Sequence, residues 1–165
     1  RISSIEEAFA VAARVRALPR FSGEFTCLAN MLRYLNDKVL PTVPAPSLRK
    51  VVDVSGDGKD NCNSRVATPE IRDEIVSYGT VINGLPILEG SDALTLEKWY
   101  QDNVQGGPGS FVLAAESFED FGRAIRQKFI VEISGVDPVN GIHALMTARA
   151  SSPGRPAQGS LHHQN

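Results

Sequence analysis

The sequence predicts an α/β domain with a doubly wound, mainly parallel sheet and helices on both faces. Short β-branched runs at 50–55, 80–83 and 110–114 alternate with stretches whose apolar residues recur at helical spacing. Strands separated by helices need crossover connections, which makes them parallel neighbours in one sheet. The first run, Val51-Val52-Asp53-Val54-Ser55, reads as a buried strand that stops in a loop of carboxylates and glycines, Gly56-Asp57-Gly58-Lys59-Asp60-Asn61. In such sheets ligands bind beyond the carboxyl ends of the strands, which is where Asp57 and Asp60 fall.

Taken in order, Ile5, Ala8, Phe9, Ala12 and Val15 predict an amphipathic helix over 4–18, ahead of Pro19. A second helix is expected over 27–39, with Leu28, Met31, Leu32, Leu35 and Val39 on one face and Pro41 just beyond its end. The stretch 41–47 carries three prolines and reads as an extended connector. Thr68-Pro69-Glu70 is a helix start: a hydroxyl N-cap, proline at the first helical position and an acid in the first turn. Ile71, Ile75 and Tyr78 supply its buried stripe and Gly79 closes it. A strand follows at Thr80-Val81-Ile82-Asn83, continuing around Gly84 towards Leu88, and then a helix over 95–103 carrying Trp99 and Tyr100, both read as packing residues. After the Gly106-Gly107-Pro108-Gly109 turn comes a third strand at 110–114. Ser117-Phe118-Glu119-Asp120 has the spacing of a capping box and opens a helix with Phe118, Phe121, Ile125 and Phe129 facing inward. The domain is read as 1–135, with 136–165 a largely disordered tail rich in Ser, Pro, Gly and Gln. Three strands are few for five helices, so N-terminal strands of the fold are expected to lie before Arg1. The 50–55 strand would then present an open edge, a route to self-association.

Composition narrows the function. A chain of 165 residues supports one domain with a real core. Seventeen Lys and Arg against 19 Asp and Glu give a net charge of −2, with no basic stripe to neutralise phosphates, so nucleic acid is not an expected partner. No stretch approaches the roughly 20 apolar residues of a membrane span, and the first residues lack the pattern of a signal peptide. Cys27 and Cys62 fit neither a zinc framework nor a CxxC redox motif. His143, His162 and His163 stand apart from any acid at ligand spacing, and no serine has a neighbouring His in the ordered part, so a hydrolytic triad is not supported.

The spacing Asp53-x-Ser55-x-Asp57 has three readings. A calcium loop would need a bidentate Glu where Ser64 stands, and a helix rather than a strand in front. A phosphatase-type loop would use an Asp as nucleophile beside Mg²⁺, and would need a second acid and a Lys from later strand ends. In the third, Asp57 alone faces a hydrated divalent cation past the strand's end, while Asp53 bonds locally between the layers. Asp57 is also readable as a loop acid capping the next turn, and Thr26 as the N-cap of the helix beginning at Cys27.

Four motifs in order extend this third reading. Val52-Asp53-Val54-Ser55-Gly56-Asp57-Gly58, Ile82-Asn83-Gly84-Leu85-Pro86-Ile87, Gly106-Gly107-Pro108-Gly109-Ser110-Phe111, and Phe121-Gly122-Arg123-Ala124-Ile125-Arg126-Gln127-Lys128 with Glu132-Ile133 resemble a bacterial family of unknown function. Its fold is like the von Willebrand factor type A domain, a Rossmann-like arrangement. The resemblance covers roughly 4–135 and corresponds to the C-terminal two-thirds of that domain. It implies a metal-ion-dependent adhesion site built from three loops. The first, Asp-x-Ser-x-Ser, would precede Arg1; the second supplies a Thr, matched by Thr26; the third supplies an Asp, matched by Asp57.

The resemblance therefore implies Mg²⁺, or Mn²⁺ or Ca²⁺, held by oxygens, weakly or not at all by these two loops alone, with an open position for an acidic group of an unidentified partner protein. It implies a periplasmic or secreted setting. It also gives the cysteines a meaning: two loops converging on one metal would bring Cys27 and Cys62 within disulfide reach, closing a loop worth about 4 kcal/mol in the chain-entropy model. Two unpaired thiols of a cytosolic domain are the alternative. The expected function is a non-enzymatic protein-binding module. A Mg²⁺-dependent phosphohydrolase using Asp53 or Asp57, and a degenerate metal-free scaffold, are the alternatives.

Overall fold

A computed structural model describes residues 2–19, 23, 25–44 and 49–134. The order is α1 (Ile5–Arg16), α2 (Leu28–Tyr34), β1 (Lys50–Gly56), α3 (Thr68–Ser77), β2 (Thr80–Pro86), α4 (Ala93–Asn103) and α5 (Phe121–Ser134). The chain is thus mixed α/β. After α2 the helix widens to a π-turn over Leu35–Val39 and tightens to a 3₁₀-turn over Leu40–Thr42, so Pro41 is accommodated within the final tight turn. Residues 45–47 of the expected connector at 41–47, and the expected tail at 136–165, lie outside the described residues.

β1 and β2 pair in parallel, with Val52 opposite Ile82 and Val54 opposite Gly84. β2 is buried along its whole length. Successive side chains of a strand point to opposite faces, and the two cores follow that alternation. Ile82 and Val54 meet Leu28 and Leu32 of α2, Ile71 and Ile75 of α3 and Leu96 and Tyr100 of α4. On the other face, Leu85 and its neighbour Ile87 meet Phe111, Leu113, Ala115 and, from α5, Ala124 and Val131. Helices therefore cover both faces of the sheet.

The third strand expected at 110–114 is not a continuous one. Residues 111–115 run beside β2 and join it through isolated parallel bridges, Gly84 with Val112 and Ile87 with Ala115. The backbone N–H of Leu113 donates to Gly84 at 3.0 Å and that of Ala115 to Pro86 at 2.9 Å. Pro86 lacks an N–H to return, which limits the ladder there. On its other side β1 has no strand partner among the described residues.

Three helix faces differ from expectation. Tyr78 is 72% exposed, and the buried residues of α3 are Thr68, Ile71 and Ile75. Phe118 and Phe129 are exposed, whereas Phe121 and Ile125 pack against the core as expected, beside the fully buried Ala124, Lys128 and Val131. The stripe of α1, Ile5, Phe9 and Val15, is exposed throughout, and no residue of α1 is buried. Its N-terminus is capped as an isolated helix would be: Ser4 Oγ accepts from the Glu7 N–H, and the Glu7 carboxylate accepts from Ser3.

Candidate functional site

At the carboxyl end of β1, residues 57–64 fold over residues 26–30, and the two segments are joined at four points. Cys27 and Cys62 form a disulfide, with Cα atoms 5.0 Å apart. Thr26 N–H donates to Asn61 Oδ1 at 2.6 Å, and Asn61 N–H returns a bond to the Thr26 carbonyl at 3.0 Å. Ser64 Oγ donates to Asn30 Oδ1 at 3.2 Å. Asp60 does the most: one carboxylate oxygen accepts from Ala29 N–H at 2.7 Å and from the Thr68 hydroxyl at 2.9 Å, and the other from Cys62 N–H at 3.1 Å.

Asp60 thereby satisfies an orphan N–H in the first turn of α2 and ties that turn to the start of α3. This settles what the local sequence left open. Thr26 precedes the N-cap position, which Cys27 occupies without a side-chain bond. Thr68, read as an N-cap, is the first helical residue of α3, and its hydroxyl serves Asp60 instead.

Thr26 therefore makes no capping bond to α2. A Cβ built on Gly58 would lie 2.9 Å from Thr26 Oγ1, so the hydroxyl rests directly on the residue after Asp57. Asp57 is exposed, and neither its carboxylate nor the Thr26 hydroxyl has a hydrogen-bond or ion-pair partner among the described residues. On the far side of the loop, Lys59 is paired to Asp92 at 3.4 Å and donates its N–H to the same carboxylate, anchoring the loop to the start of α4.

Beneath the loop lies Tyr100. Its ring crosses the sheet over two glycines: a Cβ on Gly84 would come within 2.9 Å of Tyr100 Cδ1, and one on Gly56 within 2.8 Å of Tyr100 Oη. The ring packs edge-on against Trp99. The phenol oxygen is buried and has no partner among the described residues. Burial, and secondarily the charge of Asp57, push its ionisation well above the ordinary tyrosine range, so it is a donor at neutral pH.

A second polar cluster joins α5 to the sheet. Lys128, 1% exposed, contacts the carboxylates of Asp53 and Glu132, the latter at 2.8 Å. Asn83 Nδ2 donates to Glu132 at 2.7 Å and to Asp53 at 3.4 Å, and its Oδ1 accepts from Phe111 N–H. Asp53, expected between the layers, makes these contacts on the face of β1 opposite Val54 but stays exposed, its side chain 38% accessible. A surface cleft of about 470 Å³ between Asn36, Lys50, Glu74 and Tyr78 lies at the other end of the strands.

A cation at Asp57 and Thr26 would find one carboxylate and one hydroxyl, both without protein partners and both hard oxygens of the kind Mg²⁺ and Ca²⁺ take. The donor set fits, and leaves most coordination positions to water. Among the described residues, no group of three or more His, Cys, Asp or Glu could hold a metal ion.

Asn61 and Lys128 have no role in the sequence reading, Asp60 is placed there only at the ligand-binding end of the strands, and Tyr100 only as a packing residue. A detectable signal for Tyr100 existed in Gly56 and Gly84, two glycines interrupting neighbouring buried runs. No described helix is long and apolar enough to cross a membrane. Comparison with curated proteins and with solved structures gives no match. A family model does match, over residues 1–137, and the chain belongs to that family, described as "Protein of unknown function (DUF1194)".

Proposed function

We propose that the chain is a non-enzymatic protein-binding module of the von Willebrand A type, with a weak divalent-cation site at Asp57 and Thr26. The observation that carries this reading is the seat of the Thr26 hydroxyl on Gly58, beside an Asp57 carboxylate that has no structural partner. Two loops joined by a disulfide of sequence separation 35 and a set of hydrogen bonds are held together there, and neither oxygen is used by that clamp. A Mg²⁺, Mn²⁺ or Ca²⁺ ion bound to them would keep water in its remaining positions, and one such water would be replaced by a carboxylate of the partner.

Other features agree with a binding role. The outer edge of β1 and the exposed apolar stripe of α1 are surfaces that another polypeptide, including a second copy, would cover. The disulfide suits an oxidising compartment, in keeping with a periplasmic or secreted protein.

A fluorescent peptide with a single exposed Asp tests the proposal. Its anisotropy is expected to rise with the chain only when Mn²⁺ is present, and an Asn-containing control is expected to stay silent. Equal binding of both peptides, or binding that persists in EDTA, would overturn the cation-bridged mode.

A further inference from the structure

We propose that Tyr100 is the positioning residue of this site: its buried hydroxyl is the hydrogen-bond donor that fixes the Asp57 carboxylate while the second carboxylate oxygen meets the cation. The inference rests on the cation reading above and names a residue outside the ligand set.

The argument begins with packing. The ring of Tyr100 fills the lane that Gly84 and Gly56 leave open, and every atom of the side chain is buried among Leu96, Val104, Val54 and Ile82. Phenylalanine would fill the same lane. The hydroxyl adds a buried donor without an acceptor among the described residues, and such a group is destabilising relative to a satisfied one. Packing alone therefore favours Phe, and the oxygen needs another reason.

Its position supplies one. The hydroxyl lies against Gly56, one residue before Asp57, and any side chain at 56 would collide with it. Asp57 in turn has no other hydrogen-bond partner among the described residues. A donor without an acceptor thus lies against the residue that precedes a carboxylate without a donor, and a rotation of Asp57 would join them. Ligating carboxylates are characteristically fixed in this way from behind, and loss of such a partner costs roughly 10- to 100-fold in metal affinity.

The test uses the whole chain, Mn²⁺ as the probe, and two readouts, calorimetric affinity and thermal melting with and without the ion. Tyr100→Phe is expected to melt at or above the wild-type temperature without Mn²⁺, since an orphan hydroxyl is gone, and to bind Mn²⁺ about 10-fold more weakly, with a smaller rise in melting temperature on adding the ion. Gly56→Ala, which keeps the phenol but displaces its oxygen, is expected to weaken Mn²⁺ in the same direction. Wild-type affinity in Tyr100→Phe, with Asp57→Ala silent, would overturn the role of Tyr100 and leave the cation site standing. No Mn²⁺ binding by the wild-type chain would end both.

Discussion

A methyl group on Gly58 would meet the hydroxyl of Thr26 at 2.9 Å, so these residues, 32 positions apart, are in direct contact at the carboxyl end of β1. Gly58 is not one of the glycines at positive φ, and alanine fits its backbone. Gly58→Ala is therefore expected to act through Thr26 alone: the threonine rotates away, stability falls by about 1 kcal/mol or less, and any cation response is lost. Adding Thr26→Ala to Gly58→Ala is expected to restore stability without restoring the response. Chemical denaturation and Mn²⁺ titration of the single and double variants check this.

Asp60 is the structural acid of the loop. Asp60→Ala removes the acceptor for Ala29 N–H, Cys62 N–H and the Thr68 hydroxyl, leaving a fully buried residue of α2 with an unsatisfied donor. The expected loss is about 3 kcal/mol in urea denaturation, larger than for Asp57→Ala, which removes no hydrogen bond or ion pair present among the described residues. Equal losses would contradict the division of roles between the two acids.

Opening the disulfide has a separate signature. Replacing Cys27 and Cys62 by serine frees a loop spanning a separation of 35 residues, at a cost of about 2–4 kcal/mol in unfolding free energy. The hydrogen bonds of Asp60 and Asn61 still join the two segments, so the fold is expected to persist at room temperature. Equal denaturation midpoints with and without a reducing agent in the wild-type chain would show that the bond contributes nothing.

Tyr100 gives the chain an alkaline limit. Its phenol loses its proton at higher pH in the folded chain than in the unfolded one, where it titrates near 10. The unfolded state then binds fewer protons than the native state above about pH 10, so this contribution is complete below that pH and falls as pH rises beyond it. Unfolding midpoints measured from pH 8 to 11 are expected to decline less steeply in Tyr100→Phe than in wild type. Parallel curves would place the phenol in a more open environment than its burial indicates.

How much of this was legible in the sequence depended on distance along the chain. The β-branched runs of β1 and β2, the Pro69 start of α3 and the Gly79 end needed only local geometry, and they are where the spacing put them. The face of an amphipathic helix was less secure. Periodicity gives a direction but not the width of the buried strip, so Tyr78 and Phe129 fell outside it while Lys128 fell inside, neutralised by Asp53 and Glu132. Caps supplied from afar were not legible at all: nothing near Leu28 marks Asp60 as its partner, and Thr68 looked like a local cap because hydroxyls usually are. At the candidate site, Thr26 and Asp57 came from motif resemblance, whereas Tyr100 became visible only when two strands brought Gly56 and Gly84 under one ring.

The central claim is that Asp57 and Thr26 together hold a divalent cation. Calorimetric titration of Mn²⁺ into the wild-type chain and Asp57→Ala tests it most directly. Saturable binding is predicted for wild type, with a dissociation constant on the order of millimolar for an ion that keeps most of its water, and none for Asp57→Ala, with both proteins melting alike in EDTA. Binding of equal strength in the two, or none in wild type, would contradict it.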